Sequence, residues 1–155
     1  MIHLYYVIMR VAYWVSWPLT GLLLHNSHRV RILVQAEGST LLLKSTYGPN
    51  RWSLPGGGVD RDESAKSAAV RELIEETGII VDIKQLTLLG THRIAASKYG
   101  WPVEEITFFK VTLPKRSKLR ITRPLEIKAL GWASHSDMPI KLSPAVKRAI
   151  ELQSK

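Results

Sequence analysis

The sequence predicts a single α/β domain, a mixed sheet sandwiched by helices, and three observations carry that expectation. Short β-branched and aliphatic runs recur along the chain, helical periodicity appears between and after them, and turn residues mark the joins. At 155 residues the chain can bury one real core but not two. Its hydrophobic content of 45% is ordinary for a globular domain, which sets aside a disordered or fibrous class.

Taken in order, residues 30–35 and 40–44 read as two strands around a Glu37-Gly38-Ser39 turn. Residues 52–54 form a short strand. Residues 64–77 read as a helix, because Ala65, Ala68, Ala69, Leu73 and Ile74 make an apolar stripe at helical spacing. Asp60 with Glu63 resembles a capping box, and Asp60, Asp62 and Glu63 suit the positive start of a helix. Gly78 is placed to end the helix in a left-handed conformation. Strands are expected at 79–83, 86–93, 106–113 and 127–133. Ser143 and Pro144 form an N-cap and first-turn pair ahead of an amphipathic helix at 145–152. The layout is that of an α/β/α sandwich.

The chemistry concentrates on the first helix. Glu72, Glu75 and Glu76 are neighbours on its C-terminal half, the negative end of the helix dipole. Like charges one turn apart cost roughly 0.2–0.5 kcal/mol per pair, and a divalent cation would remove that penalty. Magnesium suits the position, since it takes carboxylate oxygens and shares substrate phosphates. Upstream, Gly56, Gly57 and Gly58 allow the backbone to approach a ligand closely.

These residues stand in a fixed frame. Gly57, five residues, Glu63, seven residues and then Arg71-Glu72-Leu73-Ile74-Glu75-Glu76-Thr77-Gly78-Ile79 fill every specified position of a Nudix box. The chain therefore resembles the Nudix hydrolases from about Arg29 to its end. The resemblance implies a Nudix fold and hydrolysis of a nucleoside diphosphate linked to another moiety, by attack of water on phosphorus with bound Mg²⁺ or Mn²⁺. By position it makes Glu72, Glu75 and Glu76 metal ligands, and Arg71 and Glu63 the residues that orient them. In some family members the proton acceptor lies on a later strand or loop. Glu104 and Glu105 are placed for that role, with Glu105 the candidate fourth metal ligand and Glu126 a weaker base candidate. Candidate substrate contacts are Gly56, Gly57, Gly58, Trp52 and Lys44, with Tyr47, Tyr99 and Trp101 as further rings able to stack on a base. Ile94 and Ala95 stand where hydrolases of ADP-ribose or dinucleoside polyphosphates in the family carry proline or tyrosine; the expected substrate is a nucleoside triphosphate, an oxidised one included, or a nucleoside diphosphate derivative.

The formal net charge is +9, and Lys110, Lys115, Arg116, Lys118, Arg120, Arg123 and Lys128 gather in the second half. A positive field draws in polyphosphates, RNA 5′ ends or an anionic membrane; the plainer reading is a solvated hairpin tip at 114–123. The absence of cysteine excludes a disulfide scaffold and suits a reducing compartment, so the expected location is cytoplasmic. Residues 1–24 are almost wholly apolar and divide from a domain at 25–155. Arg10 and Pro18 interrupt them too early for a spanning helix, and a basic leader is missing. They read as an apolar N-terminal helix for packing, for a homodimer or for peripheral membrane contact. A second functional class stays open: a catalytically idle module of the same fold that binds a nucleotide or an RNA 5′ end. Such modules usually lose box glutamates, and here all are present.

Overall fold

The structure, a computed structural model, describes residues 7–8, 11–12, 15–16, 27–46, 49–95 and 103–154. Most of 1–24, and with it the expected N-terminal helix, lies outside the described residues, as do Tyr47, Tyr99 and Trp101. Among the described residues no helix is long and apolar enough to cross a membrane.

Among the described residues from 27 on, six strands and two α-helices follow in the order β1 (His28–Ala36), β2 (Ser39–Ser45), β3 (Trp52–Ser53), α1 (Ala65–Thr77), β4 (Thr87–Ala95), β5 (Val103–Leu113), β6 (Ile127–Ser134) and α2 (Pro144–Gln153). β1 and β2 form a hairpin closed at Ala36 and Ser39. Its two turn residues, Glu37 and Gly38, have φ of 49° and 69°, the paired positive values of a type I′ turn. β1 runs parallel to β5 along its whole length, and β4 runs antiparallel to β5. The sheet is therefore mixed, as expected.

β2 is where the sheet forks. One of its edges is taken by β6 from Ser39 to Ser45. Along the strand it also pairs β1 at Ser39 and Thr40, then β3 at Leu43 and Lys44. β1 and β3 thus leave the same strand at different points, and the loop that follows β3 lies in the opening.

Each face of the sheet carries one helix. Alternate β1 residues Val30, Ile32, Val34 and Ala36 pack with Ala68, Ala69 and Leu73 of α1. On the other face Leu33, Ile106 and Phe108 pack with Ala145, Val146 and Ala149 of α2. Both helices start on a serine cap: Ser64 accepts the Ser67 N–H at 3.0 Å, and Ser143 accepts the Val146 N–H at 3.4 Å.

Three local expectations are corrected. The cap of α1 is Ser64 and not the Asp60–Glu63 pair; Asp60 N–H still reaches Glu63 Oε2 at 3.4 Å, but the carboxylate is turned toward Arg71. Ile74 is 38% exposed, rotated past the edge of the apolar stripe. Residues 79–83 are not a strand. Ile79 and Val81 are buried and Ile80 is 80% exposed, so the alternation is real. Asp82 ends the run by capping a 3-10 turn (Ile83–Gln85), where its side chain accepts the Lys84 N–H and its own N–H goes to the Gln85 side chain.

Candidate functional site

After β3 the backbone runs beside β1. Ile32 N–H donates to the Pro55 carbonyl at 2.9 Å, Val30 N–H to the Gly57 carbonyl at 2.9 Å, and Val59 N–H to the His28 carbonyl at 3.1 Å. Glycine is required at two of these positions for different reasons. Gly56 has φ +131°, and a Cβ there would lie 2.2 Å from the Val30 carbonyl oxygen. At Gly57 a Cβ would lie 2.3 Å from Glu72 Oε1, so the missing side chain makes room for a carboxylate.

Arg71 organises the acidic face of α1. Its Nε and Nη2 donate to the two Glu63 oxygens at 3.0 and 2.9 Å, a bidentate grip. Nη1 donates to Glu72 Oε1 at 2.9 Å and to Glu75 Oε2 at 3.2 Å, and Nη2 also reaches the Gly58 carbonyl at 3.0 Å. Hydrogen bonds from Arg71 hold the Glu63 carboxyl below its ordinary range, and the same contacts raise the arginine. Glu72 is buried, its carboxylate held between Gly57 and Arg71.

Glu76 is held differently. Its Oε2 accepts the Gly56 N–H at 2.7 Å, while burial pushes its carboxyl up to about 7 against that bond and the nearby Arg31. The Gly56 carbonyl in turn accepts from Arg31 Nη1. Gly56 is thus pinned at both polar atoms, by a box glutamate on one side and a β1 arginine on the other.

The basic segment after β5 is solvated at Lys115, Arg116, Lys118 and Arg120, as expected, but it is not a hairpin tip, since β6 pairs with β2 and not with β5. It crosses the C-terminal end of α1, where Arg120 N–H donates to the Thr77 carbonyl at 3.2 Å and the Thr122 hydroxyl to the Glu75 carbonyl. The physical reason is the helix end itself: unpaired carbonyls and the negative dipole attract donors and cations. Arg123 pairs with Glu75 through Nη2 and with Glu126 at 3.4 Å through Nη1.

Among the strand-end carboxylates, the structure separates the candidates. Glu104 lies on the β5 face that carries Ile106 and Phe108, pairs with Arg29 at 3.6 Å and is felt electrostatically by Arg31. Glu105, one residue on, leaves the sheet on the opposite face and is exposed. Its face is the one that Phe109 shares with Val30, Ile32 and α1, whereas Glu104 lies on the α2 face. Glu126 is joined to Glu75 through Arg123. Lys44 and Trp52 meet each other, the ammonium 5.6 Å from the ring centroid, with Trp52 packed partly into the core under α2. Arg29, Arg31 and Arg123 were not singled out as site residues. The first two carry a readable signal, charges at alternate positions of an otherwise apolar strand; Arg123 has none, because its partner is 48 residues away.

The donor set suits a hard divalent ion: carboxylate oxygens on one helix, with backbone carbonyls beside them. Among the described residues no three acidic or histidine side chains already form a closed metal cage. Arg71 and Arg123 hold the gaps, cationic groups where the carboxylates need a counter-charge. The hydrogen bonds on these carboxylates engage one oxygen of each, Glu72 Oε1, Glu75 Oε2 and Glu76 Oε2, so the residues fit Mg²⁺ or Mn²⁺ with Arg71 in place.

Fold and site together define a class: a forked mixed sheet with a helix on each face, one helix presenting glutamates gathered by an arginine to a glycine loop. The chain belongs to the NUDIX family, whose domain model matches residues 24–153. It is 49% identical over 119 residues to a candidate 8-oxo-dGTP diphosphatase of Bacillus subtilis, covering 77% of this chain and 74% of that one. It is 30% identical over 133 residues to Nudix hydrolase 10 of Arabidopsis thaliana, covering 83% of this chain but spanning only 46% of that protein. Among solved structures, a MutT NUDIX hydrolase from Burkholderia pseudomallei superposes with a TM-score of 0.73 at 28% identity, covering 83% of this chain and 98% of that one.

Proposed function

We propose that the protein is a Nudix hydrolase that cleaves a phosphoanhydride bond in a nucleoside triphosphate or nucleoside diphosphate derivative, with Mg²⁺ or Mn²⁺ as cofactor. The observation that carries this reading is the single network joining Glu63, Arg71, Glu72 and Glu75 to the glycine loop, with Glu76 on Gly56 beside it. Likeness to a candidate 8-oxo-dGTP diphosphatase favours a triphosphate substrate.

Glu72, Glu75 and Glu76 would hold the metal, which when bound supplies charge neutralisation at the anhydride and an activated water. Arg71 fixes the rotamers of Glu72 and Glu75 through one nitrogen, with Glu63 and Gly58 anchoring the other side of the guanidinium. Gly57 leaves the Glu72 carboxylate its space. Gly56 presents its N–H to Glu76 and so sets that carboxylate's direction. Glu104 or Glu126 takes the water proton; Glu105, the expected fourth ligand, is exposed on the α1 side of the sheet.

The test is release of phosphate and pyrophosphate from ADP-ribose, nucleotide sugars, dinucleoside polyphosphates, normal and oxidised triphosphates and 5′-triphosphate RNA. Each is run with metal, with chelator and with Glu76→Gln. Metal-dependent turnover lost in the variant is the expected result. Tight binding of one compound with no turnover of any would overturn the hydrolase in favour of the idle module.

A further inference from the structure

β1 carries two arginines whose hydrogen-bonding capacity is only partly used. Arg29 and Arg31 lie on the face of β1 that Leu33 shares with α2, because side chains two apart leave a strand on the same side. Among the described residues, the Nε of each is buried without a hydrogen-bond partner. Burial, with Arg29 second, lowers the Arg31 guanidinium to about 10, against the weaker opposing pull of Glu76, Glu104 and Glu72, none of which bonds it. Two like charges drawn from water onto one strand face oppose folding unless an anion joins them. Arg29 has Glu104 at 3.6 Å, one long contact without a bidentate grip. Arg31 spends Nη1 on the Gly56 and Val30 carbonyls, which carry no net charge.

The position of the pair matters as much as its charge. Gly56 stands between Arg31, on its carbonyl, and Glu76, on its N–H. Arg29 is bridged through its backbone to Gly58, at the other end of the same glycine run. A phosphate chain whose scissile anhydride lies at the box glutamates therefore has the arginines one residue's width away, across the loop.

We propose that Arg31 and Arg29 form the anion subsite for a phosphate of the substrate beyond the anhydride held at the glutamates, and so select a triphosphate chain over a diphosphate closed by a neutral sugar. The inference rests on the hydrolase reading. The guanidinium of Arg31 exchanges the Gly56 carbonyl for phosphate oxygens, and Arg29 adds a second fork from the adjacent position. Planar forked donors match phosphate oxygens in a way that a lysine at the same place does not.

The experiment is calorimetric titration of the full chain with inorganic triphosphate and, separately, inorganic pyrophosphate in chelator. Wild type is compared with Arg31→Gln, Arg31→Lys and Arg29→Gln, and melting temperature is recorded for each. Metal-free binding that favours triphosphate and falls about tenfold to a hundredfold in both glutamine variants is expected, the worth of one or two charge-assisted hydrogen bonds. Arg31→Lys should recover only part of it. A loss confined to the Arg31 variants, with a lowered melting temperature and Arg29→Gln like wild type, would make Arg31 a pin for Gly56 and overturn the subsite. Absence of metal-free binding would overturn it as well. Arginine-dependent triphosphate binding by a chain that hydrolyses nothing on the nucleotide panel would sink the hydrolase and keep the anion site. Turnover with unchanged triphosphate affinity in both variants would do the reverse.

Discussion

The two helices begin alike and end as opposites. Each has a serine cap that accepts an N–H three residues on, and each places alanine and one larger aliphatic residue against the sheet. α2 buries Ala145, Val146 and Ala149, and its Arg148 pairs both within the helix and with the sheet, bonding Glu151 at 3.0 Å and the His92 ring at 3.0 Å. α1 buries Ala68, Ala69 and Leu73 but also Glu72, and it masses Glu72, Glu75 and Glu76 toward its negative end. Left to itself that end would repel them. It is held by two cations: Arg71, one turn earlier in α1 itself, and Arg123 from the segment after β5. α2 is built for stability, while α1 keeps an unfavourable charge distribution that a divalent ion would relieve. Such local conflict is expected where a fold serves chemistry.

The sharpest way to break the comparison is to substitute one residue in each helix. Glu76→Gln should lower turnover by about 10²–10⁴-fold, the loss typical of a group acting in the transition state, and leave the melting temperature unchanged or raised. Val146→Ala should do the opposite, costing roughly 2–3 kcal/mol by denaturant titration while turnover of the folded fraction persists. If the two variants behaved alike, the division of labour would be wrong. Gly57→Ala comes next. Its new methyl would meet Glu72 Oε1 at 2.3 Å, so turnover should fall about tenfold or more with only modest loss of stability.

A pH titration sharpens the contrast further. Burial holds the Glu76 carboxyl up to about 7, above its value in the unfolded chain. Between the ordinary carboxyl range and about 7 the folded protein keeps a proton that the unfolded chain has lost, so the metal-free protein should lose stability as pH rises across that window and level off above it. Metal should reverse the trend, because it binds the ionised form. Denaturant midpoints from about pH 5 to about pH 8 test this, and Glu76→Gln should flatten the curve. The smallest expected effect is at Glu105. Its glutamine variant should keep turnover within about twofold of wild type, while Glu104→Gln or Glu126→Gln loses about 10²-fold. Steady-state rates on the best substrate of the panel separate them, and a large loss at Glu105 would return it to the site.

Much of α1 and its chemistry was legible because the information is local. Helical spacing places Arg71 beside Glu75, Gly78 ends the helix at φ 72°, and the Glu37–Gly38 pair turns the first hairpin. Each depends on residues within one or two turns of one another. The Asp60–Glu63 cap was misread because Glu63 had a stronger partner eight residues away in Arg71.

The sequence by itself determined the box helix, the glycine lead-in, the order of most strands and the closing helix, since periodicity and steric preference act over a few residues. Only the tertiary structure decided the rest. The buried alternation at Ile79 and Val81 resembles a strand, yet these residues form no strand in the fold. Which face each of Glu104 and Glu105 occupies required the register of β5 against β1, since a one-residue step moves a side chain to the other face. Arg31 meets Gly56 across 25 residues and Arg123 meets Glu75 across 48. Contacts at such separations are set by how whole elements pack, and no local pattern encodes the partner.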